Sequence, residues 1–149
     1  SLTAQHPEEV LDTLWLQAMT PPGVACLVTS VEDPAFGPIL GFSVGGFLSD
    51  LVSDWAYAMP PLTDVDAEAL IRTPRSAALL FGYRGAEPAN VPAVAAVLMR
   101  VAQLAVDWPQ IRRLAINPML ATPSGCYLLG ADVQLERVTD RAERRPRRM

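Results

Sequence analysis

Lysine is absent from this chain: all 12 of its basic residues are arginine. That excludes a Schiff-base lysine, a lysine general base and a P-loop, whose glycine-rich cradle needs a lysine on the phosphates. Histidine occurs once, as His6, close to the first residue. A lone histidine there reads as solvent-exposed, and without it Cys26 has no base to activate it. The two cysteines, Cys26 and Cys126, stand 100 positions apart in apolar runs. That spacing builds neither a disulfide framework nor a zinc site, so both read as buried thiols. No apolar run reaches the roughly 18 residues of a membrane-spanning helix. The best, residues 91–106, is interrupted by Arg100 and Gln103. A basic region followed by an apolar one is missing from the start as well. These absences predict a cytoplasmic protein.

What is present is a globular composition. Half of the 149 residues are apolar and 19% are charged, which is too apolar for a disordered chain. A domain of this size buries roughly 68–70% of its unfolded surface, enough for one core without staples. Charge is unevenly placed. Residues 137–149 hold six arginines against Asp140 and Glu143, a net +4, and residues 1–136 are net −8. The acidic body repels a polyphosphate backbone, and the tail has no interleaved aromatics. It reads as a solvated tail, with no nucleic-acid partner.

Residues 7–12 suggest a short helical turn and residues 14–19 a strand. Thr20-Pro21-Pro22-Gly23 is a turn signal. Residues 24–31 and 39–44 read as strands around a second turn, forming an antiparallel meander. Gly45-Gly46 interrupts the pattern, residues 47–53 are ambiguous, and residues 55–59 resume a strand before Pro60-Pro61. Thr63 with Asp66 predicts a capped helix start, the helix running through Arg72 and ending before Pro74. Residues 76–81 form an apolar element of uncertain type, and residues 82–88 a loop. Asn90 caps the clearest helix, in which Val94, Leu98, Val101 and Ala105 recur at helical spacing. Strands over 113–121 and 127–137 flank a hairpin turn at Thr122-Pro123-Ser124-Gly125. The order predicts an α+β fold, a mainly antiparallel sheet with helices packed on one face.

Chemistry is concentrated in polar residues set within apolar strands. Asn117 and Asp132 lie on the two arms of the last hairpin, at similar distances from its turn, so their side chains can converge on one face. An amide oxygen and a carboxylate are hard donors suited to Mg²⁺, which takes few protein ligands and completes its shell with water and phosphate. The alternative is that Asn-Pro ends a strand and Asp132 satisfies backbone donors. Asp50 and Asp54 follow the double glycine, where an acid positions a nucleotide or metal, or caps a helix. The Arg84 loop offers an anion contact or a solvated face.

Several motifs then stand in order: Pro21-Pro22-Gly23-Val24, Asp33-Pro34-Ala35-Phe36-Gly37-Pro38, Gly45-Gly46, Pro61-Leu62-Thr63, Leu80-Phe81-Gly82-Tyr83-Arg84-Gly85 and Ile116-Asn117-Pro118. Together they resemble the ATP-grasp domain of ADP-forming acyl-CoA synthetases, the acetate–CoA ligase relatives of the succinyl-CoA synthetase β subunit. The resemblance implies that residues 1–136 are the C-terminal subdomain of an ATP-grasp domain, followed by the arginine-rich tail. It implies Mg²⁺ held by Asn117 and Asp132, and nucleotide phosphates near Gly45, Gly46 and Asp50. No residue here would be catalytic.

It also implies ATP/ADP as the nucleotide and CoA on another domain. The partners would be the N-terminal ATP-grasp subdomain and the CoA-binding and ligase domains of a larger parent. Some such parents also carry a GNAT-type acetyltransferase domain, and a homodimer is a further expectation. The implied reaction joins a carboxylic acid and CoA at the expense of ATP, through a phosphohistidine on another domain rather than His6. The chain departs from the family pattern at Ala25 and Ala115, where relatives carry acids, and at Ala58, where they often carry Arg. A second reading therefore stays open: a degenerate module with a regulatory or structural role in a CoA-dependent acyltransferase, or a dimerisation surface.

Overall fold

The structure is a computed structural model and describes residues 16–45 and 53–136. Its strands are β1 (Val24–Asp33), β2 (Gly37–Val44), β3 (Trp55–Ala58), β4 (Ile111–Thr122), β5 (Gly125–Leu128) and β6 (Ala131–Leu135). All pair antiparallel in the order β3-β2-β1-β4-β5, and β6 lies beside the other half of β4. The expected α+β fold is present, with helices on one face of the sheet.

Local chemistry explains the connections. Between β1 and β2 the Asp33 carboxylate accepts from the N–H groups of Ala35 and Phe36, at 2.8 and 3.0 Å. Gly37 then takes a φ of +83°, the left-handed residue that closes a three-residue hairpin loop. Helix α1 (Asp64–Arg72) starts on the expected capping box, Thr63 and Asp66 satisfying each other's backbone N–H. Such a cap stabilises a helix end by about 1 kcal/mol. Helix α2 (Val91–Asp107) starts on Asn90, whose side-chain oxygen accepts from Ala93.

Both helices bury an apolar stripe against the sheet. Leu70 and Ile71 of α1 and Val94, Leu98, Val101 and Ala102 of α2 meet Cys26, Val28, Leu40, Phe42, Leu114, Ile116 and Met119. Phe42, Leu40, Leu98 and Met119 are fully buried, each removal from water being worth roughly 1.5–3 kcal/mol.

Three expectations change. Residues 16–19 form no strand, and Leu16 and Met19 are fully exposed. A strand needs a ladder, and none of the described residues supplies one there. The rest of that stretch, the helical turn at 7–12 and the Arg-rich tail lie outside the described residues. The strand expected over 127–137 is split at Leu129 and Gly130 into β5 and β6. The ladder is carried across the split by Leu129 donating to the Pro118 carbonyl and Asn117 to the Gly130 carbonyl, both at 3.0 Å. The uncertain element after Pro74 is a 3₁₀ helix, Arg75–Phe81, followed by a short 3₁₀ turn, Tyr83–Gly85.

Candidate functional site

Strand alternation divides β4 between two faces. Leu114 and Ile116 are buried towards the helices, so Arg113, Ala115 and Asn117 lie on the opposite, open face. In the ladder Ala115 stands opposite Thr29 of β1 on one side and Asp132 of β6 on the other. Thr29 is opposite Gly41, and Gly41 is opposite Tyr57. One row, Tyr57–Gly41–Thr29–Ala115–Asp132, therefore crosses five strands of the open face. At about 4.8 Å per strand it spans roughly 19 Å.

Asn117 lies one pleat further along this face. The β1–β4 register shifts there, because Val28 pairs with Ile116 but Cys26 pairs with Met119. The extra residue falls at Asn117-Pro118, where proline has no N–H to give the ladder. A bulge of this kind bends a strand and re-aims its side chains. On the other side Asn117 donates its N–H to Gly130. A Cβ at Gly130 would sit 2.5 Å from the Asn117 carbonyl oxygen, so glycine is required for the approach.

The result is an open cleft of about 510 Å³ lined by Arg113, Ala115, Asn117, Gly130, Ala131 and Asp132. The structure thus brings together the two donors singled out in the sequence. Both are exposed, and neither makes a side-chain hydrogen bond or ion pair with another described residue. Among the described residues no group of three His, Cys, Asp or Glu comes together to hold a metal. Arg113, Gly130 and Ala131 were not singled out by the sequence reading. Period-two counting back from Asn117 reaches Ala115 and then Arg113, and it is the signal that finds the arginine.

Of the remaining candidates, Gly45, Asp54 and Arg84 are not part of this cleft's lining. Gly45 adopts a φ of +106° and donates to the Ala25 carbonyl at 2.8 Å, with open space where a Cβ would be. Gly46 and Asp50 lie outside the described residues. Asp54 is a structural cap. Its carboxylate accepts from the N–H groups of Arg75 and Ser76, both at 2.8 Å, and from the Ser76 hydroxyl at 2.5 Å. The Ser76 hydrogen bond is the chief reason its carboxyl is held below the ordinary range.

Arg84 adopts a left-handed backbone, φ 55°, and its guanidinium lies 5.3 Å from the Tyr83 ring centroid. Of Ala25, Ala58 and Ala115, singled out in the sequence, Ala115 alone lines the cleft. Ala58 packs against the core on the helix side. Cys26 is fully buried, and burial pushes its thiol up to about 12. Cys126 is half-buried, and neither cysteine is in a disulfide. No helix among the described residues is long and apolar enough to cross a membrane.

Known proteins resemble this chain in sequence and fold. Residues 1–135 match the family model described as an ATP-grasp domain. The β subunit of acetate–CoA ligase (ADP-forming) I from Pyrococcus furiosus is 34% identical over 111 residues, covering 72% of this chain and 48% of the relative. Acetate–CoA ligase (ADP-forming) I from Archaeoglobus fulgidus is 30% identical over 125 residues, covering 84% of this chain and 18% of the relative. The chain therefore spans about half of the first relative and under a fifth of the second. In structure, the dinucleotide-forming acetyl-coenzyme A synthetase 1 of Ca. Korarchaeum cryptofilum, solved with coenzyme A and Mg-AMPPCP, aligns with a TM-score of 0.76 at 33% identity. That match covers 78% of this chain and 55% of that one. Motif series, sheet and matches agree, and the chain belongs to the ATP-grasp domain family, beside the ADP-forming acyl-CoA ligases.

Proposed function

We propose that this chain is the C-terminal part of the ATP-grasp domain of an ADP-forming acid–CoA ligase, and that its open-face cleft receives a Mg²⁺-nucleotide. One observation carries the reading: Asn117 and Asp132, on different strands, line the same solvent-open cleft with unspent oxygen donors. An amide and a carboxylate oxygen suit Mg²⁺, and the open side leaves room for the waters and phosphate oxygens that complete an octahedral shell. Asn117 and Asp132 would hold the ion, and Gly45, Gly46 and Asp50 would approach the phosphates. When bound, the ion supplies charge neutralisation to phosphoryl oxygens. The protein's part is to hold two ligands in register through the Asn117–Gly130 hydrogen bond and to keep the floor at Ala115 clear.

The remaining ATP-grasp subdomain and the CoA-binding and ligase domains are the partners of this reading. The phosphorylated histidine of the reaction would reside outside this chain. Calorimetry of the intact protein with Mg²⁺-ATP tests it. Asp132→Ala should weaken binding at least about tenfold, as loss of metal-site support does. Equal affinities would remove Asp132 as a ligand.

A second reading is favoured by Ala115, which leaves one carboxylate in the described lining of the cleft. On that reading the module binds nucleotide poorly and serves a regulatory or structural role within a CoA-dependent acyltransferase or a dimer. It predicts that Ala115→Asp gains Mg²⁺-ATP affinity over a wild type that shows little.

A further inference from the structure

We propose that Arg113 binds a phosphate oxygen of the nucleotide directly, across the methyl group of Ala115. The cleft would then hold the polyphosphate by a cation built into the chain as well as by a bound one. This rests on the nucleotide reading above and adds to it a phosphate-binding residue.

Two adjacent arginines stand on β4. Arg112 and Arg113 are consecutive, and the β4–β6 register shifts between Ile111 and Arg113, so Arg112 is the extra residue of a bulge that re-aims side chains. Arg112 is spent: its guanidinium pairs with the Glu136 carboxylate at 2.9 Å. Arg113 has no ion pair or hydrogen bond with any described residue, and it lines the cleft beside Asn117 and Asp132. An exposed arginine on most surfaces is only solvated. This one stands on the same strand face as the metal-ligand candidate Asn117, four residues away, with a single alanine between them.

Spacing and size define what fits. Residues i and i+2 of a strand are roughly 6.5–7 Å apart. Ala115 is therefore a low floor between the taller Arg113 and Asn117, with Asp132 as the wall across the ladder. A group seated over Ala115 meets a guanidinium on one side, an amide on the other and a carboxylate in front. Among the described residues of the lining, Arg113 and Asp132 are the only charged ones, and their charges cancel. With one divalent cation the described lining is +2, which matches a polyphosphate and repels a second cation. Guanidinium is the side chain best shaped for this, because its planar fork donates two parallel N–H bonds to phosphate.

Equilibrium binding of ATP and ADP to the full chain, by calorimetry, separates the two cations when run once in Mg²⁺ and once in EDTA. Arg113→Gln is expected to weaken both nucleotides about tenfold in both buffers, the size of one charge-assisted hydrogen bond. Arg113→Lys should recover part of the loss. Asp132→Asn should weaken binding in Mg²⁺ only. Because Arg113 is exposed and pairs with no described residue, its variants should keep the wild-type thermal midpoint, so the affinity change reads the contact. If Arg113→Gln matches wild type while Asp132→Asn loses Mg²⁺-dependent affinity, the arginine contact is overturned and the metal reading stands. A loss in Arg113→Gln confined to Mg²⁺ buffer also overturns the direct contact. A wild type that binds neither nucleotide in either buffer overturns both.

Discussion

Asn117 donates its backbone N–H to the carbonyl oxygen of Gly130 at 3.0 Å, and this bond sets the distance between the two donors of the cleft. It fixes the register so that Asp132 stands opposite Ala115, on the face Asn117 occupies. A slip of one residue would carry Asp132 to the other face of the sheet.

Gly130→Ala tests this junction. The added methyl would lie 2.5 Å from the Asn117 carbonyl oxygen, so β4 and β6 must part. A loss of about 1–3 kcal/mol in urea unfolding is expected, as for other overpacked sites. Unchanged stability would mean that the approach is not tight in solution.

Asp54, just before β3, is hydrogen-bonded to the start of the 3₁₀ helix after Pro74. Asp54→Ala should cost about 1 kcal/mol, the usual worth of such a cap. Its pH dependence has a definite sign. The Ser76 hydroxyl, and then the backbone N–H groups of Ser76 and Arg75, hold the folded pKa below the ordinary 3.8. The stabilisation is therefore complete above about pH 4 and is lost as pH falls through the lowered folded value. Solvent screening keeps this contribution small. Wild type should lose more stability than Asp54→Ala between pH 5 and pH 2. Parallel curves would contradict the assignment.

The two thiols should differ in reactivity. Cys26 is fully buried and its thiol is pushed up to about 12 by burial, with Cys126 adding a smaller upward push. Cys126 is half-buried, and burial raises it as well. Since thiolate is the reactive form, iodoacetamide at pH 8 should label Cys126 slowly and Cys26 only after denaturation. Mass spectrometry of the native protein reads this directly. Rapid native labelling of Cys26 would show that the sheet–helix core opens.

Phe42 is fully buried on the helix side of β2. Phe42→Ala should cost about 3–5 kcal/mol, through lost burial and the cavity it leaves. A domain of ordinary stability would be left close to unfolding at room temperature. A thermal midpoint within a few degrees of wild type would place the core elsewhere.

Much of the fold was legible because its signals are local. Thr63 with Asp66, and Asn90 before Val91, announce helix starts through bonds that span three residues. The β1–β2 turn is written in Asp33 and Gly37, and the helical stripe of α2 in Val94, Leu98 and Val101. The ordered motifs carried the family, and Asn117 with Asp132 stood out as polar residues within apolar strands.

The tertiary structure decided what depends on partners distant in sequence. Residues 16–19 have strand-like composition, but a strand exists only where another chain segment completes its hydrogen bonds. The expected last strand is interrupted at Leu129 and Gly130, opposite Asn117 and Pro118, where proline has no N–H to give the ladder. Arg112 and Arg113 are identical letters in the sequence. The bulge at Arg112 and the pairing beyond it give one to Glu136 and the other to the cleft, whose described lining carries a single carboxylate. Most elements and both donors could be read from local residues. The non-local ladder alone decided which of those donors face one another, because pairing register is a property of two strands and is carried by neither.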